Sequence, residues 1–107
     1  MNTLEEIASQ FLSRILFLKC INKIEIDNFE NLFIKFRPKN INIESFSETS
    51  EITIEDIKYL LENKYKFNIN FSTFNFEKMI KFCRPSVVKL ILTNNEFIRS
   101  QQINIYK

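Results

Sequence analysis

The sequence predicts a mainly α-helical fold, a compact bundle of about five short helices accompanied by a few short strands. Three observations lead to this prediction. Capping residues recur ahead of apolar stripes with helical spacing, both prolines stand where a stripe ends, and the 107 residues suit one domain. We therefore expect residues 1–107 to form a single domain. The alternative is an α+β fold with a small sheet.

The first predicted helix is the clearest element. Thr3 followed by Glu6 has the spacing of a capping box, in which the hydroxyl and the carboxylate each bond a backbone N–H of the other residue. Six apolar residues then recur at helical intervals and predict the buried face: Leu4, Ile7, Ala8, Phe11, Leu12 and Ile15. Because residues 16–18 are also apolar and widen this face, we expect the helix to lie centrally.

Two more capping pairs precede apolar stripes, Asp27 with Glu30 and Thr53 with Asp56. The four remaining stripes are Phe29, Leu32, Phe33 and Phe36; Ile54, Ile57, Leu60 and Leu61; Phe76, Met79, Ile80 and Cys83; and Val87, Val88, Ile91 and Leu92. Each predicts an amphipathic helix with these side chains in the core.

The two prolines mark helix boundaries. Pro38 disfavours helical dihedral angles at the residue before it, so the second helix should end near Arg37. Pro85 should end the fourth helix in the same way, and it also suits the first turn of a fifth helix, where its missing N–H costs nothing.

Several segments alternate between apolar and polar residues, which is the periodicity of strands. Phe67, Ile69 and Phe71 give the longest alternation. Shorter alternations occur at Ile24 and Ile26, at Ile41 and Ile43, and at Ile103 and Ile105. Because the chain has no glycine, turns that need a positive φ must rely on asparagine.

The composition argues against an enzyme. The chain has no histidine, the commonest general base and metal ligand, and no glycine for a phosphate-binding loop. Its two cysteines, Cys20 and Cys83, are too few for a structural zinc site, which draws four ligands from Cys and His. We therefore expect no enzymatic activity, and no catalytic, cofactor-binding or metal-ligating residues.

The N-terminal residues 1–10 contain two glutamates and no basic residue, unlike a secretory signal. The most apolar stretch, residues 11–21, is interrupted by Arg14 and Lys19 and is shorter than the roughly 20 residues that span a bilayer. The two cysteines suit a reducing compartment. We therefore expect a cytoplasmic protein that does not bind membranes.

Charge is segregated along the chain. Residues 40–57 carry five acids and no basic residue, whereas residues 58–107 have a net charge of +6. The predicted partner-binding residues are the five acids Glu44, Glu48, Glu51, Glu55 and Asp56. The structural alternative is a solvated loop running into a helix N-terminus, which accounts for Glu55 and Asp56 through the helix dipole. Interleaved serines and threonines suggest that this segment is adaptable.

These features favour a non-catalytic interaction protein. We expect a small inhibitor that binds a partner protein, most concretely an immunity protein or antitoxin that neutralises a toxin in a bacterial competition system. A basic nuclease toxin would suit the acidic segment. The alternatives are a phage or viral anti-defence protein and a nucleic-acid-binding helical module that uses the basic residues 58–107. Nucleic acid ranks below a protein because no helix concentrates arginine.

Overall fold

The computed structural model describes residues 3–22 and 29–99 and confirms a mainly α-helical fold. Its helices are α1 (Leu4–Asn22), α2 (Phe29–Phe36), α3 (Ile54–Glu62), α4 (Phe76–Phe82) and α5 (Pro85–Leu92), and residues 95–99 are also helical. Two short 3-10 helices cover Glu44–Ser47 and Phe71–Thr73. The strands predicted around Ile24 and Ile103 lie outside the described residues, as does the cap predicted at Asp27.

The capping residues begin two helices as predicted. The backbone N–H of Glu6 donates to Thr3 Oγ1 over 3.2 Å at the start of α1. At the start of α3, the Thr53 N–H donates to Asp56 Oδ2 over 2.8 Å, and the Asp56 N–H donates to Thr53 Oγ1 over 3.3 Å. This reciprocal pair satisfies two backbone donors that a helix start otherwise leaves without partners.

The prolines end helices as predicted. α2 ends at Phe36, and Arg37 takes a left-handed conformation with φ 43° before Pro38. α4 ends at Phe82, and Pro85 occupies the first turn of α5. In this chain without glycine, the left-handed region is used by Arg37 and by Asn68, whose φ is 52°. Asparagine adopts this conformation more readily than most residues because its short side chain can hydrogen-bond locally.

The predicted buried face of α1 is partly wrong. The buried residues of this helix follow a spacing of four: Ala8, Leu12, Leu16 and Cys20. Leu4, Ile7 and Phe11 were predicted in the core, yet their side chains are 80%, 50% and 52% exposed. The reason is that α1 carries two apolar stripes, and its neighbours α2 and β1 cover only one.

Two serines on α1 fix which of its stripes is buried. The Ser13 hydroxyl accepts the N–H of Asn42 over 2.8 Å, and the Ser9 hydroxyl donates to the carbonyl oxygen of Asn40. These bonds hold the adjacent Ala8 and Leu12 side of the helix against the chain entering the sheet. Phe36, Ile80 and Leu92 are likewise exposed rather than buried. Ile80 and Leu92 each directly follow a buried residue, so a turn of about 100° along the helix points them outward.

The predicted alternation at residues 67–71 is confirmed by burial but produces little sheet. Phe67, Ile69 and Phe71 are buried, and the strand β2 covers only Ile69–Asn70. It pairs in parallel with β1, Ile41–Asn42, in the register Ile41 to Ile69. A parallel pair needs a crossover, which here contains α3. The left-handed turn at residue 68 and the 3-10 helix at residues 71–73 keep β2 short.

Aromatic contacts join the ends of the chain in the core. Phe67 packs edge-on against Phe29 of α2, with ring centroids 4.9 Å apart. Phe71 stacks on Phe97 with centroids 4.7 Å apart, and Phe46 meets Phe17 of α1 edge-on at 5.2 Å. Such pairs add about 0.5–1.5 kcal/mol to the free energy gained by burying the rings. The core therefore connects α1, α2 and the segment before α3.

Candidate protein-binding surface

The acidic segment, defined here as residues 44–55, runs from the end of β1 to the start of α3. Its backbone is anchored in the core by Phe46 and Ile52, which are both fully buried. Ile43, just before it, is also fully buried, and its N–H donates to Thr73 Oγ1 over 2.8 Å. Because apolar anchors alternate with acids, the glutamates of this segment lie on its outer side.

Polar contacts add to these anchors. The hydroxyl of the buried Ser47 donates to the Glu44 carbonyl oxygen over 2.5 Å and accepts the N–H of Asn75 over 3.2 Å. The Arg84 Nε–H donates to the carbonyl oxygen of Ser50 over 2.6 Å. The serines that suggested adaptability therefore include a buried one, Ser47, that ties this segment to the start of α4.

Glu44 and Glu48 share one cation. Lys78 Nζ lies 3.3 Å from Glu44 Oε2 and 3.2 Å from Glu48 Oε1, and all three side chains are roughly two-fifths exposed. The hydrogen bonds to Glu48 and Glu44 raise the pKa of Lys78, so its ammonium stays charged at neutral pH. The cluster therefore keeps an excess of one negative charge and holds both carboxylates in a fixed position on α4.

Glu51 and Glu55 are the most available acids of the segment. Both are exposed, and within residues 3–22 and 29–99 neither side chain forms an ion pair. Glu55 stands in the first turn of α3, where a carboxylate is favoured by the helix dipole. These two side chains can meet an approaching basic group without first breaking a contact.

Asp56 has a different role from the one predicted. It is only 8% exposed, and its carboxylate accepts the Thr53 N–H in the capping box. A carboxylate held by its own helix cap is not presented to a partner. We therefore assign Asp56 to the start of α3, and the exposed set consists of Glu44, Glu48, Glu51 and Glu55.

Two residues beside the acidic segment were not predicted from the sequence. Lys78 and Phe82 are four residues apart on α4, so they lie on the same face of this helix. The Phe82 ring is 50% exposed next to the cluster that Lys78 forms with the glutamates. Phe82 lies off the apolar stripe of α4, and an aromatic residue outside such a stripe is the signal that could have identified it.

An open depression of about 610 Å³ adjoins the acidic segment at Glu44. Its lining is mostly polar: Asn42, Glu44, Ser72, Thr73, Phe74, Asn75, Phe76 and Glu77. With two glutamates on its wall and backbone and side-chain amides around them, this depression can accept a protruding lysine or arginine side chain of a partner.

The basic half of the chain is partly neutralised. Besides Lys78, Lys66 Nζ lies 2.7 Å from Glu30 Oε1, and Lys64 contacts Glu96. Three lysines of residues 58–107 thus face carboxylates instead of forming a free cationic surface. This arrangement gives no added support to a nucleic-acid interface.

A second, apolar groove of about 580 Å³ lies between α4 and α5. It contains Cys83, whose half-buried Sγ lies 3.5 Å from the carbonyl oxygen of Phe46. Burial raises the pKa of the Cys83 thiol, so the thiolate is disfavoured at neutral pH. Cys83 therefore packs as a small apolar residue and is a poor nucleophile.

In the described part of the chain, no group of three or more His, Cys, Asp or Glu residues could hold a metal ion. Within the same residues, no helix is long and apolar enough to cross a membrane. Comparison with known protein families, curated proteins and solved structures finds no match to this chain.

Proposed function

We propose that this chain is a small cytoplasmic inhibitor that binds a basic partner protein through the exposed set Glu44, Glu48, Glu51 and Glu55. The concrete case is an immunity protein or antitoxin that blocks a nuclease toxin of a bacterial competition system. The observation that supports the proposal is the acidic segment itself. It presents four exposed carboxylates from a backbone fastened to the core at Phe46, Ser47 and Ile52.

Anchoring matters because flexible segments lose conformational entropy when they bind. Ordering a rotamer-rich side chain at an interface costs about 0.5–1.5 kcal/mol, and preorganised groups avoid part of that cost. Glu44 and Glu48 are already positioned by Lys78. A basic partner therefore meets carboxylates that are close to their binding geometry.

The chemistry of the surface suits a basic nuclease. A nuclease cleft that binds phosphates is lined with lysine and arginine, and carboxylates at matching positions can occupy the same cations. The exposed Phe82 ring beside the acids supplies an apolar contact, since aromatic residues are enriched at the energetic centres of interfaces. Acids around an aromatic anchor would thus block the substrate path without any catalytic group.

The test is capture of the partner from a host lysate by the tagged full chain at low and moderate salt. Bound material is identified by mass spectrometry, and its absorbance ratio at 260 and 280 nm separates protein from nucleic acid. The variant is Glu51→Lys/Glu55→Lys, because these side chains form no ion pair in the described structure and their reversal disturbs no internal contact. We expect one stoichiometric protein that the variant fails to retain.

The matched control is Glu5→Lys/Glu62→Lys. Glu5 occupies the same position in the first turn of α1 that Glu55 occupies in α3, and its ion pair with Lys39 is long and exposed. The control makes the same change in net charge away from the acidic segment. It should retain the partner, whereas equal loss with both variants would point to net charge alone and contradict the proposal. Recovery of nucleic acid without a protein would favour the alternative nucleic-acid-binding function instead.

A further inference from the structure

Helix α1 carries an apolar stripe that no described part of the chain covers. Leu4, Ile7 and Phe11 are 80%, 50% and 52% exposed, and the half-buried Ile15 and Leu18 continue the stripe along the same side of the helix. The stripe extends over 14 residue steps, which is about 21 Å at the helical rise. Large apolar side chains in such a row are typical of a surface that packs against another helix.

The flank of this stripe changes sign along its length. Glu6, Gln10 and Arg14 are spaced four apart, so they form one row beside the apolar residues. All three are exposed, and within the described residues neither Glu6 nor Arg14 forms an ion pair. The row is therefore acidic at the N-terminal end, neutral in the middle and basic at the other end.

We propose that α1 pairs antiparallel with α1 of a second copy of this chain. In antiparallel helix pairs, the same flank of each helix faces its counterpart running in the opposite direction. Placing the two-fold axis near Gln10 and Phe11 brings the two phenylalanines together at the centre. The same axis sets Glu6 of each copy opposite Arg14 of the other, so the charge row is complementary to itself.

The same axis also pairs the ends of the apolar stripe. Leu4 of one copy meets the Leu18 region of the other, and Ile7 meets the Ile15 region. Each copy uses the same surface, which is the condition for a closed two-fold dimer. A parallel arrangement would instead place Glu6 beside Glu6 and Arg14 beside Arg14, so the charges select the antiparallel direction. This inference does not rest on the acidic segment or on its partner.

The test measures the mass of the full chain in solution by sedimentation equilibrium over a range of concentrations. We expect a concentration-dependent species of twice the 12.9 kDa chain mass. Phe11→Glu should weaken dimerisation by about tenfold or more, as expected for a central anchor. Glu6→Arg and Arg14→Glu should each weaken it too, since each creates two like-charge contacts across the axis.

Two combinations distinguish this pairing from general effects of charge. The double variant Glu6→Arg/Arg14→Glu should dimerise again, and an equimolar mixture of the two single variants should form heterodimers. The control Glu77→Arg makes the same charge change in the first turn of another helix and should leave dimerisation unchanged. Circular dichroism checks that each variant remains helical.

A monomeric wild-type chain across the whole concentration range would overturn the proposal. A dimer that neither Phe11→Glu nor the single charge reversals weaken would also overturn it, because another surface would then mediate association. Weakening by the single reversals without recovery in the double variant or the mixture would contradict the antiparallel contact between Glu6 and Arg14.

Discussion

Removing the Asp56 carboxylate should destabilise the fold, because this side chain caps α3. In Asp56→Ala the Thr53 N–H loses its acceptor at 2.8 Å. A hydrogen bond to a charged group contributes about 1.5–3 kcal/mol, and a carboxylate at a helix N-terminus adds about 0.3–1 kcal/mol. Water can reach the exposed side of the cap and offsets part of this loss. We therefore expect unfolding to cost about 2 kcal/mol less than in the wild type.

The assay is equilibrium unfolding in urea, followed by circular dichroism. For a domain of this size, a change of about 2 kcal/mol corresponds to a fall in Tm of roughly 8 °C. Asp56→Asn, which keeps an oxygen acceptor but loses the charge, should cost about half as much. Glu55→Ala is the matched control, because it removes the neighbouring exposed acid of the same helical turn and should change stability by less than about 0.5 kcal/mol.

A double-mutant cycle with Thr53→Ala tests the reciprocal bonding directly. Since each residue bonds the backbone of the other, the two losses should not add, and the coupling should be about 0.5 kcal/mol or more. If Asp56→Ala instead matched Glu55→Ala in stability, the assignment of Asp56 to the cap would be wrong. Asp56 would then return to the candidate partner-binding acids.

Three other substitutions or reactions probe how the acidic segment is held. Ser47→Ala leaves the Asn75 N–H without its acceptor and should cost about 1–3 kcal/mol in urea unfolding, whereas no change would contradict the tie between the segment and α4. Phe46→Ala should cost about 3–5 kcal/mol as a core deletion, and Phe82→Ala less than about 0.5 kcal/mol, so equal costs would refute their placement. Cys83 should react with iodoacetamide more slowly at pH 7 than a free cysteine and recover the free rate in urea; rapid reaction in the folded state would contradict the raised pKa of its thiol.

Local signals carried most of the fold prediction. The capping pair Thr53 and Asp56 and the stops at Pro38 and Pro85 depend on neighbouring residues, so their spacing is sufficient to place helix ends. The buried stripe of α1 could not be predicted in this way. It is selected by the contacts of Ser9 and Ser13 with a chain segment about 30 residues away, which leave no local mark in the sequence.

The candidate surface shows the same division. Charge segregation pointed to residues 40–57 because it is visible in a short window of sequence. The pairing of Glu44 and Glu48 with Lys78 spans 30 or more residues and required the structure. The burial of Asp56 follows from the capping box, so the same local pattern that predicted the helix also supplied the reason to remove Asp56 from the surface.

The association rate of the captured partner is the most direct measurement of an electrostatic docking surface. It would be measured at low and high ionic strength for the wild type and for Glu51→Lys/Glu55→Lys. Exposed charges accelerate encounter, and salt screens them, so the variant should associate at least about tenfold more slowly at low salt, with the difference shrinking at high salt. Equal association rates at low salt would show that the partner binds elsewhere and would contradict the proposed inhibitor surface.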